Sequence, residues 1–220
     1  MKKKDMRQQV AHVYDISANQ YKEEWGAYWE RLDKGKFNGL FLPNVRPFGK
    51  LVDVGCGAGV QLLTVQKERP DLSFLGIDGS SGQLTLARKA LPNGQFQEEL
   101  LPSLSLPDSY FDGLVCRHVL HHLTDAEQIK QGIEELARVL SDGGVAYVSS
   151  HISEKGTEMD MMYLFEGEEL WMKLLTPMQY SDMFAWAGLR NIIEPKIYSR
   201  LEKPGGESNK NSDVLFILQK

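Results

Sequence analysis

The chain has 220 residues, of which 42% are hydrophobic and 25% charged, so it suits one globular domain with room for an appended segment. Its formal net charge of −5 argues against a general nucleic-acid-binding surface, and no apolar run reaches the ~20 residues that span a bilayer. Polar residues follow the early lysines, and the two cysteines predict reduced thiols, so we expect a cytoplasmic protein without a signal peptide.

The N-terminal segment predicts helices. Residues 5–34 carry polar and aromatic side chains at helical spacing, which favours two helices. Residues 34–50 contain Gly, Asn and Pro and are typical of a connection. The aromatic side chains that form either a core stripe or a cover over a ligand are Tyr14, Tyr21, Trp25, Tyr28 and Trp29. We expect this segment to act as a lid that closes over a bound ligand.

Strands and helices then alternate along the chain. The predicted elements are a strand at 51–54, a helix at 60–68, a strand at 73–77, a helix at 82–91, a short strand at 95–97, a strand at 112–117, a helix at 126–140 and a strand at 145–150. This alternation is typical of βαβ units, which predicts a parallel sheet with helices on both faces.

The pattern loosens at residues 152–176, which are rich in Met, Glu and aromatic residues. The stretch "MDMMYLF" (Met159–Phe165) predicts either an amphipathic cover over a pocket or an ordinary packing helix. A helix near 178–187 and two strands near 191–198 and 213–219 follow, and the Gly-rich and Asn-rich turn between these strands predicts a hairpin. We therefore predict a doubly wound, seven-stranded, mostly parallel sheet that ends in an antiparallel hairpin.

A glycine-rich turn follows the first strand in "KLVDVGCGAGVQLL", where Gly55, Gly57 and Gly59 let a ligand approach the main chain. Dinucleotide-binding turns have a small residue where this chain has Val60, and Asp53 disfavours a pyrophosphate nearby. No Arg or Lys occurs between residues 50 and 67 to offset that acid. A ligand with a cationic end fits this turn better than a nicotinamide dinucleotide.

The second strand ends in "FLGIDGS", which places Asp78 19 residues after Gly59. An acid at this position can accept hydrogen bonds from both hydroxyls of a ribose. The two motifs together predict a nucleoside that carries a positively charged appendage and no phosphate.

These motifs resemble those of class I S-adenosylmethionine-dependent methyltransferases, in their small-molecule, type 11-like branch. "LVDVGCGAGV" and "LGIDGS" resemble the first two motifs, and "LSLPDSYFDGLVCRHVLHHL" resembles the next two. "LARVLSDGGVAYVSS" resembles the helix and strand that follow, and "VYDISANQYKEEW" resembles the helical lid. The resemblance covers residues 10–150.

The resemblance implies a set of residues that bind S-adenosylmethionine. The set is Tyr14, Tyr21, Asp53, Gly55, Cys56, Gly57, Gly59, Asp78, Gly79, Ser80, Glu99, Leu100, Arg117 and His118. The acid that takes the adenine amino group is either Glu98 or Glu99. The implied division is a lid and connection (1–48), a cofactor-binding core (49–151), an inserted cover (152–176) and a helix with a hairpin (177–220).

Histidines lie at the ends of the fourth and fifth predicted strands. His118 and His151 are candidates for contacting the acceptor, and for removing its proton where the acceptor must lose one, with a structural histidine as the alternative. His121 and His122 share a helix face with His118, but with no further ligand in view we predict no metal site.

The sequence thus predicts methyl transfer from S-adenosylmethionine to the O, N or C atom of a small molecule, by a monomer or homodimer with no nucleic-acid or membrane partner. Two alternatives stay open. One is a non-catalytic cofactor-binding or regulatory protein of the same fold. The other, which Val60 and Asp53 disfavour, is an NAD-dependent oxidoreductase.

Overall fold

A computed structural model of the chain describes residues 6–19, 34–153, 159–165, 168–199 and 212–220. Within them, eight strands form one sheet and two form a separate hairpin. The strands are β1 (Lys50–Val54), β2 (Ser73–Asp78), β3 (Gln95–Glu98), β4 (Phe111–Arg117), β5 (Leu140–Ile152), β6 (Met159–Phe165), β7 (Glu168–Leu174), β8 (Arg190–Asn191), β9 (Lys196–Ser199) and β10 (Ser212–Gln219). The helices of eight or more residues are α1 (Met6–Ile16), α2 (Val60–Glu68), α3 (Ser81–Ala90), α4 (Ala126–Val139) and α5 (Pro177–Trp186).

The main sheet has the strand order β3-β2-β1-β4-β5-β10-β8, and β9 also pairs with β10. The first five strands in that order run parallel to one another. β10 runs antiparallel to β5 on one side and to β8 and β9 on the other, so the two short strands share one edge position. The predicted fold class is therefore confirmed, and the predicted strand at 191–198 is two short strands.

Apolar side chains cover both faces of the sheet, which is why its central strands are nearly continuous hydrophobic runs. Every residue of β4 except Arg117 is buried. Leu114 belongs to the core cluster that includes Ile133 and Phe216, whereas Val115 belongs to the cluster that includes Leu62. The sheet therefore holds the carboxyl ends of β1, β2, β4 and β5 rigidly along one edge, where ligands bind in open α/β sheets.

The segment before β1 is helical rather than a connection. Lys34–Lys36, Phe37–Phe41 and Leu42–Asn44 form successive helical turns. Phe37 and Phe41 are fully buried, with ring centroids 5.2 and 5.6 Å from that of Tyr147. The prediction from Gly, Asn and Pro was wrong here because burial of the aromatic rings outweighs the weak local preference of those residues.

The strands β6 and β7 pair antiparallel with each other, so Met159–Phe165 is a strand and not the helix considered for this stretch. Met159 pairs with Leu174 and Phe165 with Glu168. In β7, Leu170 and Met172 are buried whereas Trp171 between them is 41% exposed, which is the period-two pattern of a strand packed on one face. β7 packs against α1 and against the helical turn Leu120–His122.

Helix α1 also packs against α3, so it crosses the edge of the sheet from the β2 side to the histidine-bearing turn. The second helix predicted at the N-terminus lies outside the described residues. Among the described residues, no helix combines the length and the apolar character that a membrane crossing requires.

Candidate cofactor and acceptor site

The glycine-rich turn leaves β1 and enters α2 with its main chain bent back toward β2. The amides of Gly55 and Cys56 both donate to the carbonyl oxygen of Ile77, at 2.7 and 2.9 Å. Gly55 has a φ of 78°, and a Cβ on it would lie 2.1 Å from a methyl group of Val119. Only glycine combines this backbone conformation with such a close approach.

Asp78 joins this turn to the end of β2. Its carboxylate accepts hydrogen bonds from the amides of Gly57, at 2.8 Å, and Ser80, at 2.9 Å. Burial raises the pKa of the Asp78 carboxyl group, and these two amide donors oppose the rise. A carboxylate can accept about four hydrogen bonds, so Asp78 retains capacity for hydroxyl groups of a ligand.

A cleft of about 820 Å³, measured out to its open mouth, runs along this edge of the sheet between the sheet and α1. The predicted residues that line it are Tyr14, Gly55, Gly57, Asp78, Gly79, Glu99, Leu100, Arg117 and His118. Lining residues that sequence reasoning missed include Arg7, Val10, Ala11, Gln83, Leu101 and Val119. Glu99 lines the cleft and Glu98 does not. Tyr21 lies outside the described residues.

Four predicted residues lie behind the cleft wall and support it. Asp53 is 2% exposed, and burial raises its pKa to about 7 although the nearby Arg117 guanidinium lowers it. Burial and the Asp53 carboxyl group hold the pKa of the Cys56 thiol well above its usual value, so this thiol stays protonated. Gly59 is the N-cap residue of α2. The Ser80 hydroxyl caps α3 by accepting a hydrogen bond from the backbone amide of Gln83 at 3.1 Å.

Asp15 on helix α1 is a contact that sequence reasoning missed. Its carboxylate accepts hydrogen bonds from the hydroxyl of Ser80, at 2.6 Å, and from the amide of Gly82, at 2.7 Å. These partners are 65 and 67 residues away in the chain, so no local pattern could have identified the pair. The contact fixes α1 to the first turn of α3, next to Asp78.

Gln83 is a second missed residue. It is 2% exposed and lines the cleft, and neither of its amide atoms has a hydrogen-bond partner among the described residues. Its side-chain oxygen lies 3.7 Å from where a Cβ on Gly57 would be. Buried amide groups are normally paired, so this side chain is suited to bind a polar group of a ligand.

The other end of the cleft is built from histidines. His118 lines the cleft with a φ of 55°, a conformation rare outside glycine, and its amide donates to the carbonyl oxygen of Ser149 at 2.8 Å. His151 is 4% exposed and lies behind His118, with 4.8 Å between the ring centroids. Its Nδ1 atom is 2.5 Å from the carboxylate of Asp213 on β10.

His121 and His122 complete this region. Nδ1 of His121 lies 3.2 Å from the Ser150 hydroxyl and 3.3 Å from the amide of His151. Nε2 of His122 lies 3.2 Å from the Tyr14 hydroxyl of helix α1. Burial lowers the pKa of His122 to about 3, so its ring is neutral at physiological pH.

The cleft thus has one end at Asp78, called the nucleoside end below, and an imidazole-lined end at His118, called the histidine end. Glycine-turn backbone, a carboxylate free to accept hydroxyl donors, a buried amide and the acid Asp53 make up a donor and acceptor set that fits S-adenosylmethionine.

Comparisons with known proteins agree with this architecture. A demethylmenaquinone methyltransferase of Chlorobaculum parvum is 27% identical over 194 residues, 87% of this chain and 76% of that protein. A probable tRNA methyltransferase 9B of Mus musculus is 29% identical over 140 residues, 63% of this chain and 28% of that protein. Against several other curated relatives that it matches, the chain spans about half of their length.

Among solved structures, the crystal structure of an S-adenosylmethionine-dependent methyltransferase from Methanosarcina mazei has the same fold. Its TM-score is 0.68 at 24% identity, covering 81% of this chain and 95% of that one. Residues 52–148, from β1 into β5, match the family described as "Methyltransferase domain", type 11. With the glycine turn, Asp78 and the strand order in agreement, the match over residues 52–148 supports a class I S-adenosylmethionine-dependent methyltransferase of the type 11 kind.

Proposed function

We propose that this protein transfers a methyl group from S-adenosylmethionine to a small molecule that binds beside His118. The observation that carries the proposal is a single cleft that runs from Asp78 to His118 under helix α1. A covered cleft of this kind suits an acceptor small enough to lie within it.

The cofactor supplies an electrophilic methyl group on a sulfonium sulfur. In the proposal, Asp78 binds the ribose hydroxyls, the glycine turn approaches the ribose and methionyl part, and Glu99 with Leu100 borders the adenine. Asp53 lies behind the turn, and its carboxylate, once ionised, favours the methionyl ammonium group. Holding two reactants in line supplies roughly 7–11 kcal/mol in favourable cases, so orientation is the main task of these residues.

The acceptor lies at the imidazole-lined end. His118 borders the cleft, which supports assigning it the tasks of contacting the acceptor and taking a proton from it. His151 lies behind it, and its hydrogen bond to Asp213 orients the ring. The relative that methylates demethylmenaquinone supports a small-molecule acceptor. Helix α1 excludes water from the reacting groups.

A second candidate acceptor is RNA, which the likeness to a probable tRNA methyltransferase favours. Against it stands the net charge of −5, since RNA binding draws most of its affinity from phosphate contacts with basic side chains. We therefore place RNA second.

Labelled-methyl transfer from S-adenosylmethionine tests the proposal. The purified protein is given, in parallel, bulk tRNA and a panel of phenols, quinols and amines that includes demethylmenaquinol. We expect label in one small-molecule class and none in tRNA. At a subsaturating concentration of S-adenosylmethionine, Asp78→Ala should strongly reduce the transfer, whereas Asp142→Ala, at a side chain that is 96% exposed, should not change it.

Three outcomes would reject the proposal. Label in tRNA alone would select the RNA acceptor. Tight binding of S-adenosylhomocysteine without turnover on any acceptor, including those in a small-molecule cell extract, would select the non-catalytic alternative. Strong NADH binding with no affinity for S-adenosylhomocysteine would select the oxidoreductase.

A further inference from the structure

Three histidines from different parts of the chain meet behind the acceptor end of the cleft. His118 follows β4, His121 lies in the helical turn after it, and His151 is near the end of β5. One ring nitrogen from each lies within 4.8 Å of the other two. His121 and His151 are 1% and 4% exposed, so the group is largely shielded from water.

We propose that His118, His121 and His151 bind one divalent transition-metal ion, such as Zn²⁺, at the acceptor end of the cleft. Imidazole is a preferred ligand of these ions, and three protein ligands with an open fourth position are the arrangement of catalytic zinc sites. The open position would face the cleft, because His118 is the ligand that lines it.

The contacts of His151 support this site. Nδ1 of His151 contacts the Asp213 carboxylate at 2.5 Å, and Nδ1 of His121 contacts the Ser150 hydroxyl at 3.2 Å. The Asp213 carboxylate only accepts hydrogen bonds, so Nδ1 of His151 carries the proton and the lone pair of this ring is on Nε2. Metal-binding histidines characteristically donate their other N–H to a carboxylate or another acceptor. The His151 amide can only donate to Nδ1 of His121, so ion binding through Nε2 of His121 requires that Nδ1 donate to the Ser150 hydroxyl in place of this 3.3 Å contact.

The charge around the site also favours a cation. Asp213 is 3% exposed, and among the described residues its carboxylate has an ion-pair contact only with His151. A buried carboxylate requires a compensating positive charge. A divalent ion on Nε2 of His151 provides that charge through the ring.

The distances require a small closure. Tetrahedral bonds of roughly 2.0–2.1 Å put ligand nitrogens roughly 3.4 Å apart, against the 4.8 Å within which these three nitrogens lie. His118 is only partly buried, so rotation of its side chain can close the difference. Its φ of 55° is a strained conformation of the kind that occurs at functional sites.

One chemical consequence rests on the proposed function. An acceptor hydroxyl on the open position would lose its proton more readily, because a bound Zn²⁺ lowers the pKa of a coordinated water to about 7, and the proton would leave to bulk water through the open mouth of the cleft before α1 closes over it. The resulting oxyanion bonds to the methyl carbon while the carbon–sulfur bond breaks, and S-adenosylhomocysteine leaves with that electron pair on sulfur. The ion would therefore take over the proton-removing task assigned to a histidine base, and the acceptor would be a hydroxyl compound.

Calorimetric titration with ZnCl₂ tests metal binding directly. The full chain, carrying no histidine tag, is stripped with a chelator and desalted before the titration. We expect one ion per chain, and with Co²⁺ the visible absorption of a tetrahedral site. His121→Gln and His151→Gln should weaken binding at least ~100-fold, and Asp213→Asn by roughly 10- to 100-fold.

Two other histidines provide matched controls. His12→Gln, at an exposed position of α1, should leave the affinity unchanged. His122→Gln should change the affinity by no more than a few-fold. This control distinguishes a site that uses His151 from one formed by His118, His121 and His122, which share a helical spacing. Thermal melts establish that each variant is folded, and broadening of histidine ring signals by Co²⁺ in the unaltered protein gives an answer that needs no variant.

Absence of stoichiometric binding, or equal loss of binding in His12→Gln, would overturn the metal site. Equal loss in His122→Gln and His151→Gln would overturn the assignment of its ligands. S-adenosylhomocysteine binding to the stripped protein separates this proposal from the proposed function. If the stripped protein binds it, methylates an acceptor at full rate and takes up no ion, the metal site fails while the function stands.

Discussion

The two ends of the cleft are built in different ways. At the nucleoside end, the Asp78 carboxylate accepts hydrogen bonds from the backbone amides of Gly57 and Ser80. Main-chain groups of two neighbouring strand-to-helix turns therefore hold this end together. At the histidine end, side chains make the contacts, and they come from α1, the turn after β4, the end of β5, and β10. The first end depends on backbone conformation, and the second depends on long-range packing.

This difference teaches where each function can be perturbed. Changes at the nucleoside end should alter cofactor affinity, and changes at the histidine end should alter turnover with little change in that affinity. Helix α1 contacts the nucleoside end through Asp15 and the histidine end through Tyr14. Loss of the Asp15 contact should therefore alter cofactor affinity, and loss of the Tyr14 contact should alter turnover.

The largest effect is expected at Asp78. Asp78→Ala should weaken S-adenosylhomocysteine binding about ten- to several-hundred-fold, because hydrogen bonds to a charged group contribute roughly 1.5–3 kcal/mol each and are not additive. Calorimetry measures the change, with Asp142→Ala as the control. Unchanged affinity in a folded variant would remove the basis for treating this end as the nucleoside site.

His118→Ala should have the next largest effect, at the other end. We expect kcat to fall ~100-fold or more while S-adenosylhomocysteine affinity stays near that of the unaltered protein. A proton acceptor and a metal ligand both predict this loss. Full activity at all pH values would make His118 a structural residue and break the contrast between the two ends.

The nucleoside end also carries a pH-dependent contribution to stability. Burial raises the pKa of Asp53 to about 7 in the folded protein, above the ordinary value of 3.8 that holds on unfolding. Between these values the folded state keeps a proton that the unfolded state has lost. The contribution of Asp53 is therefore complete below pH 3.8 and is lost as pH rises toward 7, at about 1.4 kcal/mol per pH unit.

Asp53→Asn should remove this slope. Urea denaturation at pH 5 and pH 7 gives the free energy of unfolding of each cofactor-free protein. The value for Asp53→Asn minus the value for the unaltered protein should be larger at pH 7 than at pH 5. Asp142→Asn is the control and should show no such gain. A parallel pH dependence in Asp53→Asn and the unaltered protein would mean that Asp53 ionises normally.

The smallest effects are expected from the two contacts of α1. Asp15→Ala should raise the dissociation constant of S-adenosylhomocysteine by roughly three- to tenfold, since it loosens α1 beside Asp78. Tyr14→Phe removes the hydroxyl that contacts His122 and should lower kcat by a few-fold with little change in that constant. If Asp15→Ala lowered kcat alone and Tyr14→Phe changed the dissociation constant alone, α1 would not link the two ends in this way.

Hydrogen exchange measures whether α1 closes as a lid. Exchange across α1 should slow when S-adenosylhomocysteine is added to the unaltered protein, and less so in Asp15→Ala. Slow exchange that is indifferent to the ligand would make α1 a static part of the core.

Much of the nucleoside end could be predicted from the sequence, because its information is local. Helix α2 begins at Val60 and ends at Glu68, as predicted, directly after the three glycines. A buried strand, a turn that needs positive φ and a following helix each leave a pattern within a few residues. Asp78 could be predicted for the same reason, since its place follows from the lengths of one helix and one strand.

What the sequence by itself determined is therefore the order of strands and helices, the glycine turn and the acid after β2. The tertiary structure alone decided that the segment before β1 packs as helical turns on Tyr147 and that β6 pairs antiparallel with β7. It also brought Asp15 to Ser80, and placed His151, with Asp213 behind it, against His118 and His121. These pairs join side chains many residues apart, and only closure of the packed sheet sets their separation, so no local periodicity records them.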